Sequence, residues 1–241
     1  MGIVKTKGII IAENNLNDYD KMLTILTPGL GKIGCVAKGA RRTKSLLLAG
    51  TQFLCFGEYI LYKAGEIYSM NSCEIIEVFY PIRTDFEKLR YAVHITKIMS
   101  DVTTENQNNY KLLRLYLNTL YVIAEKEMDL EFVLAIFKLR LVSMLGFMPN
   151  VKMCKNCKTT ENLTFFSIRD NTFKCELCGK QDTSCIQIQE GTRDAIRYSI
   201  LAPSEKLYSF QIPDSCKKEL ELIAKIYFNE KLEKEYKMDE I

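Results

Sequence analysis

Two cysteine pairs constrain this chain more than any other feature in it. Cys154-x2-Cys157 and Cys175-x2-Cys178 stand seventeen residues apart. Each CxxC knuckle turns two thiolates to one side of a metal ion, and a second knuckle carried back by a short hairpin closes the other side. The residues between them can make that hairpin: Leu163 to Ile168 and Asn171 to Lys174 read as strands, with Arg169-Asp170-Asn171 at the turn. Gly179 is expected to relax the second knuckle. The pattern predicts one structural Zn2+ held by Cys154, Cys157, Cys175 and Cys178. Four thiolates complete a tetrahedron and leave no coordination position for water or substrate. Cys35, Cys55, Cys73, Cys185 and Cys216 lie scattered in apolar contexts and read as small buried side chains. Of these, Cys185 is near enough to compete as a ligand, at a poorer spacing.

Nine cysteines is an odd number, and the apolar run Gly8 to Ala12 is too short for a secretory leader. A reducing, cytoplasmic setting is therefore expected. The single histidine, His94, makes multi-histidine metal sites and Ser-His-Asp or Cys-His triads hard to build. It sits among Val93, Ile95 and Ile98 on a helical stretch and reads as a position between core and surface. No GxxxxGK[ST] loop and no metal-binding carboxylate cluster occurs, so the chain is expected not to be an enzyme. Gly29-Leu30-Gly31-Lys32-Ile33-Gly34 matches GxGxxG, but strand-like Cys35-Val36-Ala37 follows where a dinucleotide site needs a helix. A strand–turn–strand hairpin is expected there.

The fold class is expected to be α+β. Residues 1–80 carry about five β-rich runs with short turns: Val4 to Ala12, Lys21 to Thr27, Lys32 to Ala37, Gln52 to Tyr62 and Ile67 to Phe79. That suits a small closed barrel. After Pro81 apolar residues recur at helical spacing, and Leu130 to Leu145 is apolar nearly all round, as in a helix buried inside a bundle. Gly146 reads as its stop. Residues 81–150 and 183–241 are assigned to a helical domain, with 151–182 as an inserted four-cysteine element. Thr192 and Asp214 read as helix caps. The tail from Glu230 is a mixed charge run that ends Met238-Asp239-Glu240-Ile241 and reads as a solvated helix face.

The net charge of +3 is too small to imply a nucleic-acid partner, but its distribution is uneven. Lys32, Lys38, Arg41, Arg42 and Lys44 fall between Lys32 and Gly50, where no acidic residue occurs. Thr43 and Ser45 add hydroxyls that can bond phosphate oxygens. On a small barrel such a loop, beside aromatic strands, makes a platform for single strands. Phe53, Tyr59 and Tyr62 are candidate stackers, although each reads more readily as barrel core.

The run from Leu26 through Pro28-Gly29-Leu30-Gly31-Lys32 to Ala37-Lys38-Gly39-Ala40-Arg41-Arg42-Thr43-Lys44-Ser45 resembles the N-terminal signature of the bacterial RecO family of recombination mediators. Phe137-Lys138-Leu139-Arg140-Leu141, then Leu145-Gly146-Phe147-Met148-Pro149, then Cys154-x2-Cys157, is similar to that family's passage from helical bundle to zinc knuckle. The resemblance implies an N-terminal OB-fold barrel, followed by a helical-bundle domain with an inserted four-cysteine zinc element. It implies a non-enzymatic, nucleoid-associated role: binding single- and double-stranded DNA, annealing complementary strands, and assisting RecA onto DNA covered by single-strand-binding protein, together with RecR. It implies docking of the C-terminal tail of single-strand-binding protein on the helical domain. Lys38, Arg41, Arg42 and Lys44 match the family's DNA-binding loop. Two alternatives stand beside this reading: a zinc-stabilised interaction module that never touches DNA, and a DNA-holding module of an enzyme.

Overall fold

Alternating burial builds the first part of the chain. The computed structural model describes residues 2–238, so the acidic end of the tail lies outside the described residues. Tertiary contacts divide the chain into two units, residues 1–124 and 125–240. The first begins with β1 (Ile3–Asn15), β2 (Lys21–Thr27), β3 (Gly31–Ala37), β4 (Phe56–Ala64) and β5 (Ile67–Glu77). In β3, Gly31, Ile33, Cys35 and Ala37 are buried while Lys32, Gly34 and Val36 are half-buried, the period-two pattern of a strand with one face on a core. The strands close into a barrel of order β1-β2-β3-β5-β4. β1 pairs antiparallel with both β2 and β4, and β3 runs parallel to β5 through Cys35↔Tyr68 and Val36↔Ser69. This is a five-stranded Greek-key barrel, the OB-type architecture expected. Its interior holds Ile10, Leu23, Ile25, Tyr59 and Leu61.

The glycine-rich run is the β2–β3 hairpin. Thr27 pairs with Gly31, and its hydroxyl accepts from Leu30 N at 3.1 Å and donates to Gly31 O at 2.9 Å. Gly31 has φ +74, and a Cβ there would lie 2.2 Å from the Thr104 carbonyl oxygen. Only glycine permits both the left-handed turn and this approach.

Three helices complete the first unit. They are α1 (Tyr80–Thr84), α2 (Phe86–Val102), capped by the Asp85 carboxylate, and α3 (Tyr110–Glu125). Contacts group α1, α2 and α3 up to residue 124 with the barrel. The hairpin fastens them: Asn106 N donates to Leu30 O and Asn109 N to Pro28 O, both at 2.9 Å. His94 is fully buried in α2, deeper than the boundary position its sequence suggests.

The second unit is organised by α4 (Leu130–Val142), ten of whose thirteen residues are buried, so it forms the unit's central helix. Asp129 caps it, accepting from Phe132 N at 3.0 Å. Past Val142 the chain takes one wide helical turn and stops at Gly146, whose φ of +102 suits glycine. There follow β6 (Phe165–Ser167), β7 (Thr172–Lys174), α5 (Glu176–Lys180), β8 (Cys185–Gln187), α6 (Glu190–Leu201) and α7 (Asp214–Leu232). α7 packs along α4.

The strands make a sheet of order β7-β6-β8. β8 is unexpected: it carries Cys185 into the sheet, beyond residue 182. Both expected caps also differ. Thr192 lies buried inside α6, where its hydroxyl donates to Cys216 O at 3.4 Å. Asp214 is the first residue of α7 and pairs with Lys217 at 2.8 Å, leaving the backbone N–H groups uncapped by its side chain.

Candidate metal centre and nucleic-acid interface

The two knuckles bring Cys154, Cys157, Cys175 and Cys178 together. Their four sulfur atoms all lie within 4.8 Å of one another, and Cys157 Sγ is 3.5 Å from Cys175 Sγ. A tetrahedron with metal–sulfur bonds of ~2.3 Å has sulfur–sulfur edges of about 3.8 Å, so the donor set fits a tetrahedral thiophilic metal. The first knuckle is closed by Lys158 N donating to Cys154 O at 3.0 Å and Cys154 N to Thr159 O at 2.8 Å. The second enters α5, where Gly179 N donates to Cys175 O at 2.8 Å. Gly179 serves packing more than knuckle freedom: a Cβ there would meet the Phe165 ring at 2.3 Å.

Electrostatics favour a cation here. Burial opposes ionisation of Cys154, but the backbone N–H groups of Cys157, Cys175 and Asn156 outweigh it and bring the thiol down to about 6. Cys178 is pushed up to about 12, first by its hydrogen bond to Cys175 and then by burial and the other two thiols. Adjacent thiolates resist joint ionisation unless a metal compensates them. Cys185 stands outside this set.

An ion-pair network braces the hairpin beside the centre. Lys174, next to Cys175, is buried and bonds the carboxylates of Asp170, at 2.7 Å, and Asp182. Asp170 also takes Lys155 at 3.1 Å. The Lys174 hydrogen bond, followed by that of Lys155, holds Asp170 below its usual range. Lys174→Met is expected to leave two carboxylates facing each other without their shared cation. Thermal unfolding should show a midpoint several degrees lower, with earlier metal loss to a chelator; an unchanged midpoint would assign the network no structural weight.

The basic segment lies in the first unit, in the turns between β3 and β4. Lys38, Arg41, Arg42 and Lys44 are all exposed, while Ala40 is buried and anchors the segment. Arg42 N donates to Gly39 O, Ser45 N to Arg42 O and Leu48 N to Ser45 O, at 3.0–3.2 Å. Leu46, amid the cations, is 97% exposed. The base is braced by the β1–β2 turn. Asp20 accepts from Gly39 N at 2.7 Å, and Arg41 N donates to Tyr19 O at 2.9 Å. The Arg41 guanidinium bonds Asn17 O, and Arg42 lies 4.9 Å over the Tyr19 ring. The Gly39 N–H, then Asn17, hold the Asp20 carboxyl below its usual range, and Lys38 and Arg42 add to this.

Lys32 is not brought to this loop. Its ammonium donates to Ser100 O at 2.7 Å, in the last turn of α2, where carbonyls without helical partners favour a cation. Of the candidate stackers, Tyr59 is fully buried with its hydroxyl on Cys55 O at 2.9 Å, and so belongs to the core. Phe53 is half-buried and Tyr62 exposed.

Fold and site together define a class: an α+β protein with an N-terminal five-stranded barrel that carries a cationic loop, followed by helices and a four-thiol centre suited to a metal. The sequence matches the family model described as "Recombination protein O N terminal" over residues 1–79 and the model described as "Recombination protein O C terminal" over residues 83–240. It is 40% identical over 237 residues to a DNA repair protein RecO of Acetivibrio thermocellus, covering 98% of this chain and 94% of the relative. It is 32% identical to the RecO of Alkaliphilus metalliredigens, covering 93% and 92%, and 30% identical to that of a Thermoanaerobacter strain, covering 98% and 96%. The chain belongs to the RecO family. Among its described residues no helix is long and apolar enough to cross a membrane.

Proposed function

We propose that this chain is a recombination mediator in DNA repair. It binds single- and double-stranded DNA through Lys38, Arg41, Arg42 and Lys44, anneals complementary strands and, with RecR, assists RecA onto strands covered by single-strand-binding protein. The C-terminal tail of that protein docks on the helical domain. The observation that carries this reading is the basic loop: four exposed cations on a segment of consecutive turns, anchored by Ala40 and braced by Asp20. A loop held in this way presents its charges without first having to order itself, and preordering lowers the entropy cost of binding.

The mechanism is electrostatic. Cations that neutralise both strands lower their mutual repulsion, and each neutralised phosphate releases counterions. No side chain needs to make or break a bond. The metal is Zn2+, held by Cys154, Cys157, Cys175 and Cys178, and its part is structural because four thiolates fill the coordination sphere. Lys32 drops out of the DNA-contacting set, since its ammonium fastens the barrel to α2.

Annealing of two complementary labelled oligonucleotides, followed by energy transfer across a salt series, tests the proposal. Acceleration that fades with salt is expected. With four phosphate contacts, log affinity for single strands should fall by roughly 2.8 per decade of salt, at ~0.7 per contact. No acceleration and no binding at low salt would favour the interaction module without DNA.

A further inference from the structure

A buried lysine in the second unit is used neither by the metal centre nor by the cationic loop. Lys138 lies on α4, only 6% exposed. Its side chain helps line a cavity of about 210 Å³ between α4 and α7. Leu134, Ala135 and Leu222 contribute apolar walls, and Lys218 and Lys225 add two cations from α7. The Lys138 ammonium lies 5.6 Å over the Phe228 ring. Glu131, on its own helix, and Glu221, on α7, also line the cavity.

An ammonium buried at an apolar wall is a poorer cation and a better amine than an exposed one. Burial is the first cause that brings the Lys138 amine down to about 8; Glu131 pulls it up through space and Lys225 pushes it down. A lysine near 10.5 is almost wholly protonated at pH 8, whereas about half of a group near 8 is free amine there. Desolvation in an apolar pocket is an established way to activate a lysine nucleophile. Lys218 and Lys225 offset the carboxylates of Glu131 and Glu221 in the lining and offer two ammonium groups with which a small anion can pair.

We propose that Lys138 is an acylation site, its amine taking the acyl group of a small acyl phosphate that Lys218 and Lys225 draw into the α4–α7 cavity. The free Nζ attacks the acyl carbon and a C–N bond forms. The C–O bond to phosphate breaks, its electron pair leaves with inorganic phosphate, and the proton shed by nitrogen passes to water. No oxidant and no further reactant is needed. The product is a neutral amide in place of the ammonium over Phe228, so the modification removes one positive charge from the groove.

The test is to incubate the full-length, metal-loaded protein with acetyl phosphate at pH 8 and follow each lysine by peptide mass spectrometry. Lys138 is expected to acetylate on the order of tenfold faster than the exposed Lys126 and Lys152. The preference should vanish in urea. Two further arms separate amine reactivity from anion capture. With an uncharged acetylating ester, Lys138 should keep its lead in both the parent protein and a Lys218→Gln/Lys225→Gln variant. With acetyl phosphate, that variant should acetylate Lys138 several-fold more slowly. The proposal is overturned if Lys138 reacts no faster than Lys126 and Lys152 with acetyl phosphate. It is overturned equally if removing both α7 cations leaves its rate with acetyl phosphate unchanged.

Discussion

Removing the metal, or replacing Cys175 with Ser, is expected to open the cysteine element and to lower the unfolding midpoint of the second unit by more than 10 °C. The hairpin has little to hold it otherwise. β6, β7 and β8 have three residues each, and α5 has five. Isolated elements of that size are marginal in water. A structural Zn2+ contributes about 10–16 kcal/mol of apparent binding free energy in small zinc domains, which compares with the whole stability of an ordinary domain, about 5–15 kcal/mol. The loss should spread, because Phe166 is fully buried and meets the Tyr227 ring of α7 edge-on at 5.4 Å between centroids. When the hairpin leaves, the inner face of α7 loses that cover. Metal analysis should give one zinc per chain for the parent and well under one for Cys175→Ser. Hydrogen exchange should show fast amides across β6, β7 and β8, with the α4 amides still protected. The variant binding a full zinc, or keeping the parent's midpoint, would refute a four-thiolate structural site. Binding should also weaken in acid, since the ligand thiols must lose their protons to bind the metal.

What the sequence reveals follows the range of the interactions involved. The barrel strands are legible because alternation is local: β3 reads inward at Ile33, Cys35 and Ala37 without knowledge of its neighbours. The four-cysteine cluster is legible because CxxC spacing encodes knuckle geometry within four residues. The missed features are pairings across distance. Cys185-Ile186-Gln187 is too short to show a period, and becomes a strand only because Phe166 lies opposite Ile186. Thr192 looks like a cap, yet the Cys216 carbonyl claims its hydroxyl. Lys32 belongs by position to the basic run, but alternation turns it toward α2, sixty-eight residues on. Asp20 escapes a charge count limited to residues 32–50, although it is the acid that braces the loop. The sign of a local charge run is thus readable in sequence, while the direction each charge faces depends on tertiary neighbours.

That distinction gives the second large effect. Reversing charge at Arg41→Glu/Arg42→Glu is expected to weaken single-strand binding by roughly 10²–10⁴-fold at low salt. Charge-assisted hydrogen bonds contribute about 1.5–3 kcal/mol each, and two are lost. New repulsion from two carboxylates adds to this. The salt dependence should flatten, from roughly 2.8 to about 1.4 log units per decade, as four phosphate contacts become two. Annealing should fall in parallel. The fold should survive, since both arginines are exposed and their contacts to Asn17 O and the Tyr19 ring lie at the surface. Arg41→Gln/Arg42→Gln, which removes charge without reversing it, should fall between the parent and the reversal. Lys32→Gln gives the opposite signature: it releases Ser100 O and costs stability, but the salt slope stays at the parent's value. If the double reversal binds DNA as the parent does, the loop is not the DNA-contacting surface. If Lys32→Gln flattens the slope while keeping the midpoint, the ammonium on Ser100 is available to phosphate after all.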